Sequence, residues 1–544
     1  MRMTKIKTAL VVAAVGGLAA GGPACPAQAA PARAETAGAV AVAGTAAARP
    51  PMHGDLTGDG RADLAVYGGF HDGGEEFQLV PGAPVGTLGR GAVAVNQHDP
   101  GIPLKDDPAW PEAWGQVLAY GDFNGDGRTD LAVGAPTAGV GGATWAGAVG
   151  VLYGRATAPY YTRARVFTQD TPGIPDRAEE DDHFGSALAS GDFDGDGYAD
   201  LAVGTPRESF GSEQDAGSVT LLRGTRGGLT ATGARLLTQN SPGIPGTLGF
   251  GHRFGHRLAT GNLAGTRADE LVVVTPFDPP PAGTRATSCT SPAGPLRSRP
   301  RGSLTVLRGS TSGGPTAGGA QYFTAAGLGT GDLDVGANAP AGTVAVTGRL
   351  YGGGYADLAV AATGANGGPC GEGVVAVLRG GTTGLATAAR VLTAGHAGRA
   401  RQAGAAFGRD LAAGDIDGNG TDDLLVTTPA GAYGQIADHG YTAALLGSTR
   451  GPATAGRFTW AAVKHLNSRP AAGALLDVDG DRRPEAVVLA PDATTLTEPE
   501  VGFVYVLKLR KAGGSLAVTA LQTLSKKTLG PAAGHNGPVG PLAH

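Results

Sequence analysis

Five stretches of this chain place oxygen-bearing side chains at a fixed alternation that suits a hard cation. They read GDLTGDGRADLAV (Gly54–Val66), GDFNGDGRTDLAV (Gly121–Val133), GDFDGDGYADLAV (Gly191–Val203), GDIDGNGTDDLLV (Gly414–Val426) and LDVDGDRRPEAVV (Leu476–Val488). Loop positions 1, 3, 5 and 9 hold Asp55, Thr57, Asp59 and Asp63 in the first and Asp122, Asn124, Asp126 and Asp130 in the second. The third offers Asp192, Asp194, Asp196 and Asp200; the next Asp415, Asp417, Asn419 and Asp423; the last Asp477, Asp479, Asp481 and Glu485. Alternate residues of a tightly curled loop point inward, and glycine at positions 4 and 6 permits the positive backbone angles of the curl. Calcium takes several oxygens from such flexible loops, with a backbone carbonyl at position 7 completing the shell. The competing explanation is a set of metal-free Asx-turns, since Asp and Asn also bond their own backbone. Several carboxylates within one loop repel one another without a cation, so the expectation is Ca2+ at three to five sites. Thr57 is a weak ligand and Arg482 replaces the second glycine, so loops one and seven are the less complete.

What positions these loops is a repeat. Two further copies, GNLAGTRADELVV (Gly261–Val273) and GRLYGGGYADLAV (Gly348–Val360), have lost most ligands. Position 1 then falls at Asp55, Asp122, Asp192, Asn262, Arg349, Asp415 and Asp477, a period of roughly 70 residues. Several units open on an aromatic-Gly pair: Trp114-Gly115, Phe184-Gly185, Phe254-Gly255 and Phe407-Gly408. These pairs are expected in the core between neighbouring units, with glycine admitting close backbone approach. The acidic loop follows, then an apolar strand ending in proline (Leu131–Pro136, Leu201–Pro206), an alternating strand (Gly147–Gly154, Gly217–Gly224) and a fourth (Arg165–Gln169, Arg235–Gln239). Short β-branched runs bounded by Gly or Pro favour strand over helix. Four strands with turns between them make one antiparallel sheet, and seven sheets set radially make an all-β, seven-bladed β-propeller of four-stranded antiparallel blades. Ring closure is open. Pro50 and Pro51 stand where the first inner strand belongs, and either Gly38–Gly44 or the tail after Lys527 could close the ring.

The aromatic-Gly opening, the acidic loop and the Gly-Ala-Pro-like strand end together resemble the FG-GAP repeat of integrin α-subunit N-terminal domains, in a secreted bacterial form. The resemblance covers roughly Gly54 to Lys526. It implies calcium in the loops joining strands 1 and 2, and ligand recognition by loops on the opposite face. Related repeats also occur in a phospholipase D acting on glycolipid anchors, so the repeat alone does not fix the activity. No Arg-Gly-Asp sequence occurs, and unit one lacks the aromatic-Gly opening.

Composition narrows the rest. Charged residues are 16% and the formal charge is −5, so no electrostatic footprint for nucleic acid is present. Arg2, Lys5 and Lys7 precede the apolar Ala9–Ala20, and Ala27-Gln28-Ala29 offers a cleavage site. Residues 1–29 therefore spell an export signal, whose removal takes the formal charge to about −8. The expected organisation continues with an Ala-rich segment at 30–50, the propeller at 51–526 and a flexible tail at 527–544. Cys289 and Cys370 remain after cleavage and are expected to pair as a disulfide, as in exported proteins. They fall in strand 2–3 loops of adjacent units on one face.

The strand 4–1 connections HDPGIP (His98–Pro103), DTPGIP (Asp170–Pro175) and NSPGIP (Asn240–Pro245) carry turn chemistry. They share the face opposite the metal loops with Trp110, Trp145, Glu179–Asp182, His183 and Phe210. Trp145, Glu180, Asp182 and His183 are the candidate ligand-face residues, with solvated loop decoration as the plain alternative. No G-x-S-x-G, H-E-x-x-H or phosphate-loop pattern occurs, so no catalytic residue is assigned. The expectation is a secreted, extracellular, monomeric, non-catalytic binding or adhesion scaffold for a protein or glycan, without membrane insertion. The rival is a secreted hydrolase on phosphodiesters or glycans, with its residues in the strand 2–3 and 4–1 loops.

Overall fold

The computed structural model describes residues 54–524, with breaks at 72–73, 105–112, 331–344, 363–371, 401–404, 429–439, 453–471, 491–502 and 513–514 and at a few positions between 280 and 312. The expected export signal, both candidate closing segments, Trp110 and Cys370 lie outside the described residues.

Among the described residues seven antiparallel blade sheets follow one another along the chain, with one two-stranded hairpin besides. Blade two is Val117–Gly121, Asp130–Ala135, Ala148–Gly154 and Tyr161–Phe167. Blade three is Ala187–Gly191, Asp200–Thr205, Ser218–Arg223 and Thr230–Leu237. Blade four is Arg257–Gly261, Glu270–Thr275, Ser303–Arg308 and Thr316–Thr324. Blade five is Ala345–Gly348, Asp357–Ala362, Val374–Leu378 and Arg390–Leu392. Blade seven is Ala472–Leu476, Glu485–Ala490, Phe503–Ala512 and Ser515–Leu524. Blade six shows Asp410–Gly414, Asp423–Thr428 and Tyr441–Leu445, and blade one Leu64–His71, Gly74–Val80 and Val93–Asn96. Among the described residues blade one thus lacks its inner strand, where the sequence sets Pro50 and Pro51. The sole described helix is one turn, Ala325–Leu328. The long strand 2–3 connection of blade four carries a hairpin, Thr287–Ser291 paired with Gly294–Ser298, which bears Cys289.

Strand 2 is buried along its whole length in blades two to six. Both of its faces meet neighbouring blades, which is why it reads as an unbroken apolar run. Strand 4 is mostly exposed or half-buried, as in Tyr161–Phe167, where only the two end residues are buried, because its outer face meets water. The aromatic openings are core as expected: Trp114, Phe184, Phe254 and Phe407 are fully buried. Their glycines permit blade-to-blade contact. A Cβ on Gly134 would lie 2.4 Å from the Gly185 carbonyl, and one on Gly204 2.2 Å from that of Gly255. Each glycine of one strand end therefore faces the aromatic-Gly turn of the next blade.

A backbone seam joins the blades. The N–H at loop position 8 donates to the position 1 carbonyl of the preceding unit: Thr129 to Asp55 (2.9 Å), Ala199 to Asp122 (3.0 Å), Asp269 to Asp192 (2.8 Å), Ala356 to Asn262 (2.8 Å) and Asp422 to Arg349 (3.1 Å). Ala62 makes the same bond to Asp477 (2.8 Å), so blade seven meets blade one as any two neighbours meet. Pro484 occupies position 8 of unit seven and has no N–H to give. A single apolar cluster runs from Leu489 and Val506 of blade seven through Phe77 of blade one to Trp114 of blade two, and it closes the ring. Where the first inner strand is not described, Tyr120 of blade two bridges outward: its hydroxyl donates to the Asp63 carbonyl (3.1 Å) and accepts from Ala65 N–H (3.0 Å).

Candidate metal loops and the opposite face

Within each acidic loop the position 1 carboxylate organises the curl. Asp122 accepts from the N–H groups of Gly125 (2.7 Å), Asp126 (3.1 Å) and Gly127 (2.9 Å). Asp192 and Asp415 do the same for their positions 5 and 6. The position 9 carboxylate ties the loop to the sheet. Asp130 accepts from Phe123 N–H (3.0 Å) and from Gly154 N–H at the end of strand 3 (2.9 Å). Asp63, Asp200 and Asp423 make the equivalent bonds to Gly82, Gly224 and Gly447.

Three of the loops bring carboxylate oxygens within 4.8 Å of one another: Asp192, Asp194 and Asp200; Asp415, Asp417 and Asp423; Asp477, Asp479 and Glu485. In loop two the third oxygen comes from an amide, since Asn124 accepts from Asp126 N–H (2.8 Å). In loop one the Thr57 hydroxyl lies 3.4 Å from Asp55. Burial raises Asp63, Asp200 and Asp423 to about 7 and Asp130 to about 8, with the neighbouring loop carboxylates adding to the effect. Buried carboxylates that resist ionisation are the donor set a hard divalent cation relieves. The residues present therefore fit such an ion.

Cationic side chains pair with four of the acidic loops, Arg61 reaching Asp59 (3.1 Å) in loop one. Arg223 pairs with Asp194, and Lys511 with Asp417 (2.9 Å). Loop seven is the most heavily countered. Lys508 pairs with both Asp479 and Asp481, and Arg510 reaches Asp481 (2.5 Å) and Glu485 (3.3 Å).

The lapsed loops keep only their architectural parts. Asp357, at position 9 of loop five, still accepts from Tyr351 and Gly380 N–H (both 2.8 Å). Glu270 accepts from Leu263 and Ala264 in loop four.

On the opposite face the strand 2–3 loop of blade two zips onto the strand 4–1 connection behind it. Asp181, His183 and Phe184 N–H groups donate to the carbonyls of Thr144, Trp145 and Ala146 (2.8 to 3.0 Å). The Trp145 and His183 rings lie 6.2 Å apart, and Glu180 stands exposed beside the Thr144 hydroxyl (3.0 Å). Asp182 and His183 are buried, unlike Glu180. His183 meets Asp181 (2.9 Å), which also holds Arg207 (2.6 Å). The structure adds a residue the sequence did not single out. Glu208, in the strand 2–3 loop of blade three, joins Glu179 and Asp182, their oxygens all within 4.8 Å.

The architecture is that of a seven-bladed β-propeller. It is built from FG-GAP repeats: that repeat family matches residues 113–152, 184–222 and 407–441, the units that hold loops two, three and six. Integrin alpha-3 of Mus musculus is 29% identical over 168 residues, 30% of this chain and 15% of that protein. Phosphatidylinositol-glycan-specific phospholipase D of Rattus norvegicus is 32% identical over 173 residues, 29% of this chain and 18% of the enzyme. The matched segment thus spans less than a fifth of either relative. Among solved structures, the exotype rhamnogalacturonan lyase YesX aligns over 81% of this chain and 70% of its own, at 14% identity and a TM-score of 0.34. No helix of the described residues is long and apolar enough to cross a membrane.

Proposed function

We propose that this protein is a secreted, calcium-stabilised, non-catalytic scaffold that binds an extracellular protein or glycan through the face opposite its acidic loops. The observation that carries this is the asymmetry of the two faces. One holds near-copies of a single oxygen-rich loop at the strand 1–2 turns, held by the same backbone bonds from blade to blade. The other holds connections that differ in length and chemistry, from the Trp145–His183 pair to the Thr287–Ser298 hairpin. Rigid elements below and varied loops above are the usual arrangement for recognition. The export signal expected at residues 1–29 accords with secretion. A Cys289–Cys370 disulfide linking the strand 2–3 loops of blades four and five belongs to the same proposal.

Binding of the purified protein to arrays of glycans and cell-envelope proteins tests it. The expected result is a saturable ligand whose affinity falls on Trp145→Ala or Glu180→Ala without change in the melting temperature. Turnover of a glycan or phosphodiester, lost on substitution in the strand 2–3 or 4–1 loops, would replace the scaffold by a hydrolase.

A further inference from the structure

We propose that Glu179, Asp182 and Glu208, with Gln169 and Asp176 beside them, form a further divalent-cation site of calcium type at the seam between blades two and three, on the face opposite the five acidic loops.

Blade four shows what this niche looks like when the protein completes it with its own protons. Asp278 there follows strand 2 at the place Glu208 takes in blade three, each capping the same turn (Asp278 N–H to Thr275, Glu208 N–H to Thr205). Asp278 receives the hydroxyls of Ser303 and Tyr322 (2.6 Å each) and the amide of Gln239 (3.3 Å), and His252 stands 3.5 Å away. In blade three two of these four donor residues, the tyrosine and the histidine, have gone. Asp182 occupies the place of His252, Leu236 the register position of Tyr322, and Asp176 and Glu179 replace Gly246 and Gly249. Only Gln169 still donates, its Nε2 lying 2.6 Å from Glu208 and 3.4 Å from Asp176.

Two buried polar groups are left over at this niche. Gln169 is 1% exposed, and its Oε1 has no hydrogen-bond partner. Ser218 is fully buried at the position of Ser303, and its Oγ is likewise without a partner. Buried polar atoms are seldom orphaned in a native fold. A cation accounts for the first directly. Turning the Gln169 amide over exchanges a donor facing two carboxylates for a carbonyl oxygen, and it joins the carboxylate oxygens as a ligand. Asp182 and Glu208 are each 2% exposed, and no lysine or arginine pairs with them or with Glu179 among the described residues. Burial pushes Asp182 up to about 7, with Glu179, Asp176 and Asp181 adding like charge; burial, with Asp176 and Asp182 beside it, also pushes Glu208 up. Glu179 is exposed, so the niche opens to solvent, where water completes the six to eight oxygens that calcium takes.

The test counts ions. Native mass spectrometry and equilibrium dialysis with Ca2+ alone should give one ion more for the wild-type chain than for Glu208→Gln. Asp182→His restores the histidine that blade four carries at this place, so it should fold and weaken that binding step by about tenfold or more. In chelator, Glu208→Gln should melt no lower than wild type, since it removes a carboxylate that repels its neighbours. An unchanged ion count in both variants overturns the site. So does a crystal grown in calcium that shows only water between Asp182 and Glu208.

Discussion

Loops three and five occupy equivalent turns of the same ring, yet they share only part of their chemistry. Loop three has Asp192, Asp194, Asp196 and Asp200; loop five has Arg349, Tyr351, Gly353 and Asp357 at the same positions. Both keep the position 9 carboxylate, and in both it accepts from the closing glycine of strand 3 at 2.8 Å. Both keep a position 8 N–H that bonds the preceding blade. What loop five has lost is the oxygens at positions 1, 3 and 5. The comparison separates two parts that loop three combines: a backbone scaffold that recurs from unit to unit except at Pro484, and a set of oxygens fit for a cation that is present only where the acids remain.

Chelation of the proposed calcium should give the largest effect. Metal that binds only the folded state stabilises it by about 2.7 kcal/mol per site at a hundredfold excess over Kd. Three to five loops acting together should therefore produce a large fall in Tm on chelation, restored by calcium. An unchanged melt in chelator would erase the distinction between the two loop types.

The next effect divides the two roles. Asp357→Asn should cost about 1–3 kcal/mol, because a side chain that accepts two N–H bonds becomes one with a single acceptor. That loss should be the same with calcium or chelator. Asp200→Asn should lose a similar amount and, in addition, shrink the calcium-dependent rise in Tm by one site. Equal calcium responses in the two variants would mean that loop three holds no ion.

Protons compete for the same carboxylates, which gives a third contrast. In the metal-free fold Asp63, Asp200 and Asp423 sit at about 7 and Asp130 at about 8, chiefly through burial. Unfolded, they ionise near the ordinary value of 3.8. Between about pH 4 and 7 the native state therefore holds protons that the unfolded chain has released, and stability falls as the pH rises through that window. Calcium requires the ionised form, so the loaded protein should instead lose stability as the pH falls. Melting curves from pH 4 to 8 with and without calcium should slope in opposite directions, and parallel slopes would contradict the assignment.

How much of this was legible in the sequence follows from where the partners lie along the chain. An acidic loop carries its ligands within nine consecutive positions, so spacing alone exposes it. The aromatic-Gly pairs repeat in step with those loops, and Trp114, Phe184, Phe254 and Phe407 are core as their pattern implies. Glu208 was not visible, because Asp176, Glu179 and Asp182 reach it from the connection before its own blade. A signal existed in the comparison of units three and four, where Asp182 aligns with His252 and Glu208 with Asp278. The seam between blades was hidden for another reason. Its donors and acceptors are backbone groups, and side-chain identity does not register them except at proline.

That exception supplies the smallest and most local test. Pro484 is the position 8 residue of unit seven, so the Asp415 carbonyl lacks the bond that Asp122 receives from Ala199 at 3.0 Å. Ala199→Pro should copy this gap into the blade two–three seam and cost about 1 kcal/mol, the net worth of one hydrogen bond. Pro484→Ala should restore a donor opposite Asp415, but it also frees the unfolded chain by about 0.4–1 kcal/mol. The two terms nearly cancel, so the Tm should barely move. Hydrogen exchange is the sharper readout: the amide that Pro484→Ala introduces should be protected to the same degree as that of Ala199 in the wild-type chain. Fast exchange at that amide would show that blades six and seven are joined without the backbone bond that the other six seams share.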